Sequence, residues 1–252
     1  MRRLLTVVIA LVVVVAGSAF AAWYFVFKTD SAPKAKIKQT ATVAAPGTAL
    51  DGTYTVKPGN ASNFVGYRVT EKLVASIVEN TATGRTDNVT GTLTISGTTV
   101  SNVTVTADLR SLRSDQGGRD GSIQNEGLES NRFPQAKFVL TQPITLAAVP
   151  AVGETITTRA TGDFTLHGVT KPVVITLEGR WDGTRVQVVG TLPIVFGDYN
   201  IEAPTAPVVA SVDDHAAMEL QLFFEKPTAD DRVTRRHEVR GSSAAHVAGL
   251  SR

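Results

Sequence analysis

Apolar and polar residues alternate with a period of two along most of the chain after residue 50. The clearest example is the stretch 162–179, where apolar side chains share one face on each side of a short turn. These are Phe164 and Leu166 before the turn and Val173, Ile175 and Leu177 after it. Because successive side chains of a strand point to opposite faces, the pattern predicts two half-buried strands joined as a hairpin, with Gly168 and Pro172 in the turn.

Similar alternation recurs along the chain and is separated by turn residues. The predicted strands are 53–56, 63–70, 89–95, 103–109, 137–141, 155–166, 173–181, 185–196 and 217–225. The segment 71–79 fits a helical turn as well as a strand, and 122–131 is predicted as a short helix that ends before Pro134. Roughly eight antiparallel strands suit a closed, all-β, lipocalin-like barrel, which has room for one small ligand and no exposed edges. The barrel domain is predicted to span 51–226.

The apolar faces of these strands define a predicted barrel lining, and we expect it to contact a ligand. Two interpretations stay open, because the same side chains can enclose a cavity or fill the interior completely. A register shift of one residue would also turn this set to the outside. The predicted lining consists of Val65, Tyr67, Leu93, Phe138, Leu140, Phe164, Leu166, Leu192, Ile194, Leu220 and Leu222.

The N-terminus carries an uncharged run from Leu4 to Phe27 after two arginines, long enough to cross a bilayer as a helix. Ala19-Phe20-Ala21 fits a signal-peptide cleavage site, but aromatic residues suited to a membrane interface continue the run beyond it. We therefore predict a transmembrane anchor over 1–27, with a cleaved signal peptide as the alternative. Residues 28–50 are predicted as a flexible linker that tethers an extracytoplasmic domain.

Composition narrows the possible functions. The chain of 252 residues has a formal net charge of +2, too small and dispersed to indicate nucleic-acid binding. It has no cysteine, which excludes disulfides, thiolate metal sites, a cysteine nucleophile and a lipid-modified cysteine. No Gly-x-Ser-x-Gly elbow, phosphate loop or dinucleotide motif occurs, so we do not predict an enzyme. The segment 227–252 is polar and unpatterned, and we predict a disordered tail.

Several polar residues invite a catalytic or metal-binding interpretation, but simpler ones are favoured. Arg113, Asp115, Arg119 and Asp120 are expected to form a salt-bridge and helix-cap network, with Asp120 capping the predicted helix. His167 is expected to make a hydrogen bond in the hairpin turn. His215 follows Asp213 and Asp214, but no metal-ligand spacing accompanies this trio.

A series of short blocks resembles the YceI-like family of polyisoprenoid-binding proteins, which have a lipocalin-like barrel. The most specific block is GDFTLHGVTKPV at 162–173. The others are VGYRV at 65–69, SLRSD at 111–115 with RD at 119–120, RFPQAKFV at 132–139, FGDYNIEAPTAP at 196–207 and VDDHAAMELQL at 212–222. The chain departs from the family at Asn200, where glycine is common, although asparagine tolerates a left-handed backbone. The stretch 71–88 has no family motif.

The resemblance implies a membrane-anchored envelope protein that holds an isoprenoid or other long-chain lipid, such as a quinone tail or polyprenyl lipid, inside the barrel for storage or transport. It implies no cofactor other than such a lipid or quinone. A second hypothesis is an envelope interaction domain whose barrel is filled by its own side chains.

Overall fold

The computed structural model describes residues 31–38, 49–73, 79–203 and 209–227. These residues form one antiparallel sheet of twelve strand segments, in which every pairing between segments is antiparallel. The segments are β1 (Gly52–Val56), β2 (Phe64–Leu73), β3 (Glu79–Thr86), β4 (Val89–Ser96), β5 (Thr99–Asp108), β6 (Arg113–Ser114), β7 (Gln135–Leu140), β8 (Ile144–Thr145), β9 (Thr155–Leu166), β10 (Val169–Trp181), β11 (Arg185–Val195) and β12 (Val209–Glu225).

The sheet closes into a barrel with eight strand positions around its circumference, which we call staves. There are fewer staves than segments because several segments lie end to end in one stave. The long strand β12 pairs with both β1 and β2 along the same edge, at Thr55–Glu225 and Val65–Leu220 respectively. In the same way β4 and β3 form the next stave, β5 and β6 the one after it, and β7 and β8 both pair with β5. The remaining staves are β9, β10, β11 and β12. The prediction of a roughly eight-stranded antiparallel barrel is therefore confirmed.

The hairpin of β9 and β10 has a tight two-residue turn formed by His167 and Gly168. Both residues have positive φ, 50° and 75°, the backbone that lets a two-residue turn follow the twist of its strands. Pro172, predicted in the turn, instead lies within β10 opposite Asp163. A proline is tolerated there because pairing of β10 with β11 starts only at Thr176, so Pro172 has a partner strand on one side.

The helix lies earlier in the chain than predicted. The α-helix α1 spans Gly117–Ser122 and continues as a π-helical turn over Ile123–Gly127. The prediction of 122–131 missed the start because Gly117 and Gly118 disfavour helix, while tertiary contacts hold the segment in place. Asp120 is not a helix cap as predicted. It lies inside α1, where its carboxylate accepts hydrogen bonds from the backbone N and the Oγ of Ser114, at 2.8 and 2.7 Å.

Residues 31–38, within the predicted linker, lie against the outer wall of the barrel as an extended strap. The backbone N of Lys38 donates to Gln187 on β11 at 2.9 Å, and the Gln187 amide donates to the carbonyl of Lys36 at 3.1 Å. At the other end Arg68 on β2 donates to the carbonyl of Ala32 at 2.7 Å. The strap therefore crosses from β11 to β2 on the outside of the barrel.

The anchor predicted over 1–27 and the tail after residue 227 lie outside the described residues. Within the part of the chain that the structure describes, no helix combines the length and apolar character needed to span a bilayer. The ambiguous segment 71–79 begins as the end of β2 and finishes as the start of β3, and residues 74–78 lie outside the description. Asn200 adopts the left-handed conformation expected of it, with φ 53° and ψ 34°.

Candidate functional site: two cavities inside the barrel

The barrel encloses two cavities whose walls are almost entirely apolar. The upper cavity, beneath α1, has a volume of about 130 Å³, and the lower cavity, beside Trp181, has about 120 Å³. Period-two alternation builds both, because the inward side chains of each strand are apolar and the outward ones are mostly polar. An apolar cavity of about 150 Å³ accepts a molecule the size of benzene. Each cavity is thus large enough for part of a branched hydrocarbon chain, and the interior is not filled from end to end.

The structure places all eleven predicted lining residues inside the barrel or in its core. Five line the upper cavity, namely Val65, Tyr67, Phe164, Leu166 and Ile194. Five line the lower cavity, namely Leu93, Phe138, Leu140, Leu220 and Leu222. Leu192 is buried in the core but lines neither cavity. Contact of these residues with a ligand stays a prediction.

Two phenylalanines lie between the cavities. Phe138 lines the lower cavity and Phe164 the upper one, and they face each other directly across β7 and β9. The Phe138 ring packs over Gly162, where an added Cβ would lie only 2.5 Å from the ring. Glycine at 162 therefore allows the Phe138 ring to approach the backbone of β9 closely. The pair therefore lies where the linings of the two cavities meet.

The upper cavity contains a buried ion pair that the predicted lining omitted. Arg119 on α1 reaches Glu71 on β2 at 2.7 Å, and both side chains are largely buried. Burial lowers the pKa of Arg119, but the carboxylates of Glu71 and Asp115 outweigh it, so the pKa is raised and the guanidinium stays charged. Val65 and Tyr67 face inward on β2, and counting on in steps of two residues predicts an inward side chain for Glu71 as well. The alternation therefore held a signal that could have identified Glu71.

The hydroxyl of Tyr67 is the second polar group of the upper cavity, and it lacks a hydrogen-bond partner. Its oxygen is buried, although such hydroxyls usually find a partner. Burial raises the pKa of Tyr67, nearby Arg119 lowers it, and the carboxylates of Asp120, Glu71 and Asp115 raise it further, so the net shift is upward and the phenol stays neutral. The ring lies on Gly84 of β3, where a Cβ would lie 2.3 Å from it.

The lower cavity has a polar group of its own at the far end of the barrel. The indole Nε1 of Trp181 is buried without a hydrogen-bond partner. Next to it, Arg180 lies in the wall and donates to the carbonyls of Gly153 and Lys38, at 2.9 and 2.7 Å. Arg180 thus connects the strap at Lys38 to the wall of the lower cavity.

The polar residues near α1 form a structural network of hydrogen bonds and ion pairs, as predicted from the sequence. Arg119 bridges Glu71 and Asp115, whereas Arg113 donates to the carbonyls of Arg110 and Leu112. These contacts fix α1 over the end of the barrel. Holding α1 over the end of the barrel therefore explains this cluster of polar residues without a catalytic role.

His167 makes the hydrogen bonds expected of it in the turn. Its Nδ1 lies 3.0 Å from the carbonyl oxygen of Tyr199, and its Nε2 lies 2.9 Å from Glu129. The imidazole also packs edge-on against Phe133, with 4.4 Å between ring centroids. His167 lines neither cavity, so it ties the hairpin to the neighbouring loops.

His215 lies on an exposed bulge of β12. Its Nδ1 is 2.9 Å from Asp214, and this hydrogen bond, aided by the charges of Asp213 and Asp214, raises the pKa of the imidazole. Among the described residues, no group of three or more histidine and acidic side chains is arranged to hold a metal ion.

Comparison with known proteins agrees with the barrel. A solved polyisoprenoid binding domain from Saccharophagus degradans, implicated in plant cell wall breakdown, superposes with a TM-score of 0.54 at 20% identity. The match covers 69% of this chain and 98% of that domain. At this identity the likeness concerns the fold.

Two curated relatives are closer in sequence. A UPF0312 protein from Pseudomonas savastanoi pv. phaseolicola is 36% identical over 132 residues, which is 50% of this chain and 62% of that protein. UPF0312 protein PputW619_0484 from Pseudomonas putida is 37% identical over 113 residues, 42% of this chain and 55% of the relative. The matched regions thus span less than two thirds of these relatives. The YceI-like domain family itself matches residues 54–224, nearly the whole barrel, and the chain belongs to that family.

Proposed function

We propose that this protein binds an isoprenoid or similar amphiphilic lipid, such as a quinone tail or polyprenyl lipid, inside its barrel and stores or transports it. The observation that carries the proposal is the pair of apolar cavities within a closed barrel. Removing apolar surface from water contributes about 25 cal/mol per Å². A hydrocarbon tail needs no polar partner, so such walls suit it.

The proposal extends to location. The uncharged run from Leu4 to Phe27 would hold the protein in a membrane, with the barrel outside the cytoplasm. A bound lipid would then enter from the adjacent bilayer. The alternative is secretion after signal cleavage.

The membrane part is tested by fractionation of cells that make the full chain. We expect the protein in the membrane fraction, resistant to alkaline and high-salt washes, and released when residues 1–27 are deleted. A washed-out or secreted protein whose N-terminus begins near Ala22 would replace the anchor with a cleaved signal peptide.

Lipid binding is tested by native mass spectrometry of the full chain, purified from membranes in mild detergent and followed by solvent extraction. We expect a co-purified isoprenoid lipid. The matched variant is Ala136→Phe, which fills the upper cavity from its wall, since Ala136 is buried there. Its surface control is Val174→Phe, because Val174 is 54% exposed.

We expect Ala136→Phe to lose most of the bound lipid and Val174→Phe to retain it. Circular dichroism of both variants verifies that the barrel is intact. Repeated recovery of lipid-free wild-type protein from membranes that contain isoprenoids would contradict the proposal.

A further inference from the structure

The upper cavity combines an apolar wall with one unused hydrogen-bonding group. The Tyr67 hydroxyl is buried and has no partner, although the remaining wall around it is almost entirely apolar. Leaving a buried hydroxyl without a partner costs about 1–3 kcal/mol. A ligand that offers a hydrogen bond at this point would remove that cost. The hydroxyl therefore marks where a polar group of a bound molecule is favoured.

The charges beside Tyr67 decide which kind of polar group this is. The cation Arg119 is already engaged by two carboxylates, from Glu71 at 2.7 Å and from Asp115 at 2.5 Å. A third carboxylate, Asp120, also acts on Tyr67 and accepts hydrogen bonds from Ser114. Three carboxylates and one guanidinium thus surround this part of the cavity, and the cluster is formally negative.

The strand β12, which pairs with β2, adds only apolar side chains to the same cavity. Val212 and Ala216 line it, and the bulge between them carries Asp213 and Asp214. His215 on this bulge is hydrogen-bonded to Asp214, and the two side chains are 66% and 91% exposed, so both point away from the interior. A phosphate or diphosphate beside Tyr67 would meet the like charge of the Glu71, Asp115 and Asp120 carboxylates, which is costly where water is scarce.

We propose that the upper cavity receives a neutral polar headgroup, a hydroxyl or a carbonyl, hydrogen-bonded to Tyr67 Oη, and that it discriminates against phosphorylated lipids. This inference rests on the proposed function, since it specifies which class of isoprenoid lipid the barrel takes. The phenol donates to a carbonyl or exchanges a hydrogen bond with an alcohol. The hydrocarbon tail then extends along the apolar interior.

The experiment compares three probes that share isoprenoid chemistry and differ in the head. Geranylgeraniol carries a neutral hydroxyl, geranylgeranyl diphosphate carries an anion, and squalene carries no polar head. Their affinities for the full chain in detergent micelles are measured by competition with a fluorescent lipid. We expect geranylgeraniol to bind at least about fivefold more tightly than the diphosphate.

Tyr67→Phe removes the hydroxyl and keeps the ring. We expect it to weaken geranylgeraniol about five- to tenfold, the value of one hydrogen bond, and to leave squalene unchanged. The matched control is Tyr54→Phe, because the Tyr54 hydroxyl is also buried but already donates to the carbonyl of Leu50 at 2.6 Å. The control should not alter the order of the three affinities.

Asp115→Asn tests the charge argument separately. Removing one of the three carboxylates should improve diphosphate binding several-fold and leave geranylgeraniol unchanged. Tighter binding of the diphosphate than of the alcohol by the wild type, or equal alcohol binding by wild type and Tyr67→Phe, would overturn the inference while lipid binding stands. If the wild type binds none of the three probes, the proposed function itself is overturned.

Discussion

At the scale of single residues, Asn63 supplies hydrogen bonds at a gap between two strands in the barrel wall. The strands β1 and β2 lie on the same edge of β12 but are separated by residues 57–63. Asn63 is almost completely buried in that gap, where its Oδ1 accepts from the backbone N of Phe223 at 2.7 Å and its Nδ2 donates to the carbonyl of Lys57 at 3.3 Å. The Asn63 side chain thus replaces a backbone hydrogen bond between strands that is missing at this gap.

We therefore expect Asn63→Ala to destabilise the fold by about 1–3 kcal/mol, because it leaves buried backbone groups without partners. The measurement is the free energy of unfolding in urea. The control is Asn60→Ala, which removes an exposed contact from Oδ1 to the Ser62 backbone N, and we expect it to cost below about 0.5 kcal/mol. Equal effects of the two substitutions would show that the gap does not depend on Asn63.

Tyr54 provides a residue-scale prediction about pH. It is fully buried, and burial, with a contribution from Asp51, raises its pKa from 10.0 to about 12. The folded state thus keeps a proton that the unfolded state releases. Its contribution is fully present below pH 10, declines as pH rises and is lost above about pH 12. We expect Tyr54→Phe to reduce the fall in unfolding free energy over this window, and parallel curves for both proteins would contradict the assignment.

At the same scale, the sequence could identify the inward residues but not their use. The alternation placed Val65 and Phe164 on the inside correctly, since a half-buried strand has only one apolar face. It could not foresee that Tyr67 would lack a partner or that Arg119 would meet Glu71, because those contacts join segments far apart in the chain. Distances between such segments depend on the exact strand register and on the paths of the loops, which the local pattern does not encode.

At the scale of elements, the strap could not be predicted from hydrophobic periodicity, because it has none. For the same reason the sequence predicts a linker over the whole of 28–50. The attachment of the strap depends on outward side chains of the barrel that are unusually buried, such as Gln187 and Glu219, which are only 4% exposed. Glu219 lies 2.9 Å from Arg68 and 3.6 Å from Arg85, both of which also donate to strap carbonyls. Buried polar side chains on the outer face of the sheet therefore mark where the strap covers the barrel, and their burial is visible only in the structure.

Gln187 holds the strap through both its amide donor and its amide acceptor. We expect Gln187→Ala to speed hydrogen exchange of the Lys38 amide at least about fivefold and to lower stability by about 1 kcal/mol. Hydrogen–deuterium exchange with mass spectrometry measures the first effect and urea unfolding the second. The control, Gln135→Ala on the exposed face of β7, should change neither. Unchanged protection of residues 31–38 in Gln187→Ala would mean that other contacts hold the strap.

At the scale of the whole molecule, barrel closure and strand number were predictable, whereas the division of the interior was not. Roughly eight alternating strands imply a closed sheet, because an open sheet of that length would expose long edges. Whether the interior is empty depends on ring positions such as those of Phe138 and Phe164. These depend in turn on Gly162, which lets the Phe138 ring approach the wall. Period-two patterning cannot distinguish a ring on the wall from one across the axis.

The arrangement of the two cavities predicts that the lower cavity determines how the affinity depends on the length of the lipid tail. A short tail fits the upper cavity, whereas a longer tail must also enter the lower cavity. Ala160 is buried in the lower wall, and Ala160→Leu reduces the space there. Excluding about four tail carbons costs roughly 3 kcal/mol at about 0.8 kcal/mol per buried methylene, which is roughly a hundredfold in affinity.

We therefore expect Ala160→Leu to weaken binding of geranylgeraniol by up to roughly a hundredfold and that of the shorter alcohol isopentenol much less. Competition with a fluorescent lipid measures both affinities. Val174→Leu on the outer face of β10 is the matched control, because Val174 is exposed and the same leucine there adds no volume to the interior. Equal weakening of long and short alcohols by Ala160→Leu would mean that the cavities act as one space, and unchanged binding of both would place the tail outside the lower cavity.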